Sequence, residues 1–138
     1  MRVVLDTNVL VSIVKRPEGD VMRVIYKAIK QDVVTIVFCK ETYNELAEVL
    51  SSGKFRMVKR TVINHYLSFL STKAYWHEPN RHGSEASDPT DQAFIDAAVA
   101  TGCKYVVTGN LKHMPDSRVV EGVLILSPRD FAVMEKLI

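Results

Sequence analysis

Apolar and polar positions along this chain fall into two alternating kinds of segment. Continuous apolar runs rich in β-branched residues occur at Val3-Val4-Leu5, at Val33 to Cys39, at Tyr105 to Thr108 and within Val119 to Leu126. Short unbroken runs of this kind read as strands buried on both faces, the pattern of a parallel sheet. Between them lie segments with apolar residues at helical spacing. Val9 to Lys15 reads as a short helix ended by Arg16-Pro17-Glu18-Gly19, with Asn8 as its cap. Asp20 caps a second helix over Val21 to Gln31, whose apolar face is Val21, Val24, Ile25, Ala28 and Ile29. A third covers Lys40 to Ser51, and Phe55 to Ser71 holds one or two more, with Phe55, Val58, Val62, Tyr66, Phe69 and Leu70 recurring at helical spacing. Ala74-Tyr75-Trp76 reads as a short strand and Glu78 to Ser87 as a polar loop. Asp88-Pro89 opens a helix that runs to about Thr101 and stops at Gly102, and Ser127-Pro128 opens a closing helix through Met134. Strands alternating with helices predict a three-layer α/β/α sandwich with a central parallel sheet, built as a single domain over residues 1–138.

Composition narrows the class without changing that picture. The chain has 138 residues, enough for one real core, and its 47% apolar and 25% charged fractions are those of an ordinary globular protein. No apolar run approaches bilayer length and no signal-peptide pattern opens the chain, so a cytoplasmic location is expected. The net charge of +2 says little, but Lys54, Arg56, Lys59 and Arg60 cluster within seven residues, and Lys15-Arg16 follows the first helix. Such clusters can track a phosphate backbone or simply solvate a surface. Cys39 and Cys103 are far apart and form no C-x-x-C pair, so they are expected as buried free thiols. The four histidines, His65, His77, His82 and His113, show no metal-ligand spacing.

The acids carry more information. In open α/β sheets the carboxyl ends of the strands face the ligand crevice. Asp6 follows the first strand directly and is therefore placed at the floor of that crevice, although Asp6-Thr7-Asn8 also suits a plain strand-to-helix turn. In the third helix the apolar stripe centres on Leu46. Glu45 lies roughly 100° from that centre, whereas Glu41 and Glu48 lie about 140° and 160° away. Glu45 can thus be aimed into the cleft, or serve as an ordinary boundary glutamate. Asp91 falls at the third position of the helix opened by Asp88-Pro89, where it either reaches the same rim or supports the cap. Asn110, just after Thr108 at a strand end, adds a fourth polar position on that rim. Three carboxylates drawn together repel unless a cation neutralises them. Without His or Cys partners, the ion such a set prefers is hard, Mg²⁺ or Mn²⁺, the ions of phosphoryl chemistry.

The ordered set Val4-Leu5-Asp6-Thr7-Asn8-Val9, Glu45-Leu46, Asp88-Pro89-Thr90-Asp91 and Val107-Thr108-Gly109-Asn110 resembles the PIN-domain family of ribonucleases. It is most similar to the bacterial and archaeal branch described as toxin components of toxin–antitoxin pairs, and the likeness extends to Leu126-Ser127-Pro128-Arg129-Asp130-Phe131. The resemblance implies a PIN-like sandwich and a Mg²⁺- or Mn²⁺-dependent endoribonuclease acting on RNA. It implies Asp6, Glu45 and Asp91 as catalytic metal ligands, with Asn8 and Thr108 shaping the pocket and Asp88 as an auxiliary acid. A metal-activated water would attack phosphorus and leave a 5′-phosphate. It further implies a homodimer and inhibition by a small antitoxin protein. The chain departs from the family pattern at Asn110, where Asp is common; an amide keeps an oxygen but removes a charge, so a second metal is held less tightly.

Other acidic α/β sites fit less well. A phospho-receiver would place an acidic pair on the first strand and a phosphate-accepting Asp on the third, yet Asp6 has no acidic neighbour and the middle strand ends Phe38-Cys39-Lys40. A phosphohydrolase with an Asp nucleophile wants Asp-x-Asp, and Asn8 occupies the second position. Glycine patterns for dinucleotides or P-loops are absent. The alternative from another class is a catalytically weak PIN-fold module that binds RNA or protein; Asn110 favours it, and Asp6, Glu45 and Asp91 speak against it.

Overall fold

Six strands form one sheet in the order β3-β2-β1-β4-β6-β5. The computed structural model describes residues 1–78, 91–111 and 119–138, and the side chains of residues 91 and 92 fall outside that description. In chain order the elements are β1 (Arg2–Leu5), α1 (Thr7–Lys15), α2 (Asp20–Lys30), β2 (Thr35–Phe38), α3 (Lys40–Leu50), a 3₁₀ turn (Gly53–Phe55) and α4 (Arg60–Lys73). There follow β3 (Tyr75–Trp76), α5 (Asp91–Ala100), β4 (Tyr105–Val107), β5 (Val119–Val120), β6 (Val123–Leu126) and α6 (Pro128–Met134). The predicted sandwich with a largely parallel sheet is what forms.

Alternation along the buried strands sorts side chains onto two faces. Val3, Leu5, Ile36, Phe38, Tyr105 and Val107 point to one, where they meet α1, α2, α3, α4 and α6 through residues such as Leu10, Ile25, Leu46, Leu70 and Phe131. Val4, Val37, Val106 and Ile125 point to the other, against Phe94, Ile95, Ala97 and Ala98 of α5. Both faces being covered explains why the strand sequences are apolar throughout.

Three local readings are corrected. The stretch Val119 to Leu126, expected to hold one strand, is a hairpin: β5 pairs antiparallel with β6. Glu121 (φ 48°) and Gly122 (φ 83°) supply the two positive φ values of a I′ turn. The sheet thus ends on an antiparallel edge. Nor does Asn8 cap α1. Asp6 holds the cap position, its carbonyl accepting from the Val9 N–H at 2.9 Å, so Asn8 is already the second helical residue and is exposed. Similarly Gly19, not Asp20, precedes α2, and α3 begins with a box between Cys39 and Thr42, whose hydroxyl oxygen accepts from the Cys39 N–H at 3.0 Å. Both cysteines are free and buried. Among the described residues no helix is long and apolar enough to cross a membrane.

Candidate active site

The chain leaves β1 toward β2 on one side and returns to β4 on the other, so the gap between β1 and β4 is the topological switch point of the sheet. Crevices form at such points, outside the carboxyl ends of the strands. Asp6 and Thr108 are the residues that follow β1 and β4 there. The Asp6 N–H extends the ladder by donating to the Val107 carbonyl at 2.9 Å, and the Thr108 N–H donates to Leu126 at 2.9 Å.

Across the switch point the side chains join. The Thr108 hydroxyl donates to Asp6 Oδ2 at 2.6 Å, and its oxygen accepts from the Asn110 N–H at 3.0 Å. The order matters. By accepting from the main chain, the hydroxyl oxygen has its proton turned toward the carboxylate, and successive bonds in such a chain polarise each other. Asp6 is 5% exposed and Thr108 fully buried, so a carboxylate that would otherwise be costly here is held by a charge-assisted bond.

Glu45 is brought in by the next residue. Thr7, first in α1 and buried, donates its hydroxyl to Glu45 Oε2 at 3.2 Å. Glu45 is half-buried on α3 between buried Thr42 and Leu46, while Glu41 and Glu48 are exposed, as the helical wheel anticipates. Consecutive residues Asp6 and Thr7 therefore carry the two links, one to β4 and one to α3. Thr7 is the functional residue that sequence reasoning missed. Its only signal was a hydroxyl at the first helical position beside the acid, which turn preference alone explains equally well.

α5 is described from Asp91 onward, and the expected helix start at Asp88-Pro89 lies outside the described residues. That helix returns from the carboxyl end of β3 toward β4, so its described start lies at the strand-end rim. The Asp91 side chain lies outside the described residues as well. Asn110 is exposed and Asn8 accepts from the Ser12 hydroxyl at its carbonyl, 2.8 Å. Lys54, Arg56, Lys59 and Arg60 are all exposed, and Arg60 Nη1 donates to Ser51 Oγ at 3.0 Å.

The donors fit a hard cation in kind. A carboxylate offers about four lone-pair sites, so accepting one hydroxyl proton is compatible with coordinating a metal. Asp6 and Glu45 supply oxygen, the ligand Mg²⁺ and Mn²⁺ prefer. Among the described residues no group of three His, Cys, Asp or Glu side chains could hold a metal, so the described part of the site is a pair of carboxylates.

Comparison with known proteins bears on the fold. The structure is similar to VapBC2 from Rickettsia felis, solved bound to a DNA fragment from its promoter, with a TM-score of 0.57, 16% identity and coverage of 91% of this chain and 97% of that one. It is also similar to VapBC-1 from nontypeable Haemophilus influenzae, with a TM-score of 0.54, 18% identity and coverage of 94% and 99%. At such identities the likeness is one of fold. No curated protein matches the chain. A PIN-domain family model, however, matches residues 2–112, which takes in β1 through β4 together with Asp6, Glu45, Asp88 and Asp91, and the chain belongs to the PIN-domain family.

Proposed function

We propose that this protein is a divalent-metal-dependent endoribonuclease and the toxin of a toxin–antitoxin pair. The observation that carries the reading is the pair of carboxylates held by threonine hydroxyls at the switch point, Asp6 by Thr108 and Glu45 by Thr7. Family membership and the fold likeness to VapBC2 and VapBC-1 support it, and the latter supports an antitoxin partner. Asp6, Glu45 and Asp91 are the residues that would hold Mg²⁺ or Mn²⁺. When bound, such an ion supplies an activated water and offsets charge building on the phosphate. Thr108 fixes the Asp6 carboxylate and Thr7 keeps Glu45 turned toward α1, so the ligands are ordered before substrate arrives. Asn8, Asp88 and Asn110 are assigned to the pocket around them. Exposed Lys54, Arg56, Lys59 and Arg60 are assigned to the RNA backbone, and a homodimer is the expected assembly.

The test is purified protein with a mixed RNA pool, in Mn²⁺ or in EDTA, beside Asp6→Asn. Cleavage that leaves 5′-phosphate ends and needs both the metal and Asp6 is the expected result. Cleavage that persists in EDTA or in Asp6→Asn refutes the metal-site assignment.

Asn110 favours a second reading. Its main-chain N–H braces Thr108 whatever its side chain, so an amide here leaves the scaffold intact while removing a negative charge. A catalytically weak RNA-binding module would then result. Folded protein that binds RNA without cutting it, and that gains Mn²⁺ affinity and cleavage in Asn110→Asp, establishes that reading instead.

A further inference from the structure

We propose that Trp76, with Tyr43 beside it, is a platform on which a base of single-stranded RNA stacks next to the carboxylate rim. The inference rests on the ribonuclease reading and adds where the substrate's bases go. Trp76 ends β3, one of the two edge strands among the described residues, and is 43% exposed although it lies among other rings. Its ring centroid is 5.3 Å from that of Tyr43 and 5.6 Å from that of buried Phe38, and those two are 5.4 Å apart. The indole Nε1–H donates to the Ser71 carbonyl of α4 at 3.0 Å. The indole's one polar group is thus spent internally and its rotamer is fixed, so what it offers outward is aromatic surface.

Its position matches that use. β2 pairs with β3 through Phe38↔Trp76, and β1 with β2 through Val3↔Ile36. Continuing this register places Leu5, Phe38 and Trp76 in one row, all at strand carboxyl ends. Trp76 therefore lies two strand spacings, about 10 Å, along the rim from the residue that precedes Asp6. Exposed Lys40 precedes Tyr43 by three residues on α3, so a cation and an aromatic ring share that helix face. Sequence-tolerant binding of single strands uses this combination, a ring for the base and a cation for the backbone.

Trp76 is the only tryptophan in the chain, which makes it its own probe. The experiment titrates the protein with a short oligo(U), with EDTA present to prevent cleavage, against an abasic strand of equal length. Emission and the anisotropy of a labelled strand are followed together. The expected result is quenching by oligo(U) and not by the abasic strand. Trp76→Ala should weaken oligo(U) binding roughly 5- to 100-fold, with Trp76→Phe restoring most of it. Binding without an emission change, and with equal affinity in Trp76→Ala, overturns the platform and leaves the nuclease standing. No binding together with no Mn²⁺-dependent cleavage overturns both. The emission arm needs no variant, so it decides the matter even where Trp76→Ala fails to fold.

Discussion

The Thr108–Asp6 bond makes the sharpest prediction, because one hydroxyl serves both stability and the site. Thr108→Val keeps the volume and the branched shape but removes the donor 2.6 Å from Asp6 Oδ2 and the acceptor 3.0 Å from the Asn110 N–H. A hydrogen bond to a charged group contributes about 1.5–3 kcal/mol, and stranding the partly buried N–H works in the same direction. A loss of about 2 kcal/mol is a substantial part of the ~5–15 kcal/mol that holds a domain together. With an unfolding entropy of about 2.1 cal/mol/K per residue, it lowers the Tm of this 138-residue chain by about 7 °C. The assay is urea unfolding of a double-mutant cycle in which Asp6→Ala is the second arm. If the hydroxyl acts on Asp6, Thr108→Val costs markedly less in the Asp6→Ala background, with a coupling of about 1–2 kcal/mol. Equal cost in the two backgrounds, or no cost at all, refutes the account and reduces Thr108 to a packing residue.

Three further outcomes follow from the same structure. Thr7→Val, which unties Glu45 without touching it, should cost about 1 kcal/mol of stability and slow RNA cleavage while leaving RNA affinity unchanged; steady-state kinetics with separate binding measurements check this. The Tyr105 hydroxyl donates to Glu135 Oε2 at 2.5 Å, and that bond, followed by burial and the Glu135 charge, pushes it up to about 12. A folded value above the unfolded one of about 10 means the bond's contribution is complete below about pH 10 and lost as pH rises from there toward 12. Burial likewise raises Tyr66, so Tyr105→Phe should flatten part of the alkaline decline, measured by urea unfolding between about pH 8 and about pH 11. Leu46→Ala, at the fully buried centre of the inward face of α3, should cost about 2–5 kcal/mol in the same unfolding assay, far more than a change at exposed Glu48.

Much of the site was legible because strong, local physics produced it. An apolar run ending in a carboxylate places Asp6 at a strand end whatever the rest of the chain does, and the period of α3 separates half-buried Glu45 from exposed Glu41 and Glu48. What escaped depended on contacts between distant segments or on competing local choices. The partner of the Thr7 hydroxyl is set by how α1 packs on α3, 38 residues away in sequence. The hairpin was hidden because Val119-Val120 and Val123 to Leu126 are apolar on both sides of a turn whose first position is Glu121, a residue poorly suited to positive φ. The α1 cap was misplaced by two residues, since the Asp6 carbonyl starts the helix and no side chain is needed there.

The bond between Thr108 and Asp6 also says when the site comes into being. Its partners are 102 residues apart, and β1 sits between β2, which follows it closely, and β4, which follows late. During synthesis the first half of the chain can pair β1 with β2 and pack α1 through α4, but one side of β1 stays open until β4 arrives. Contacts of such long range are late and slow to form, because the intervening loop must be closed first. The nascent chain therefore carries Asp6 and Glu45 from early on, yet gains the hydroxyl bond to the Asp6 carboxylate only once Thr108 has been made. Under the proposed ribonuclease function, assembly order itself keeps the site incomplete until β4 has been made.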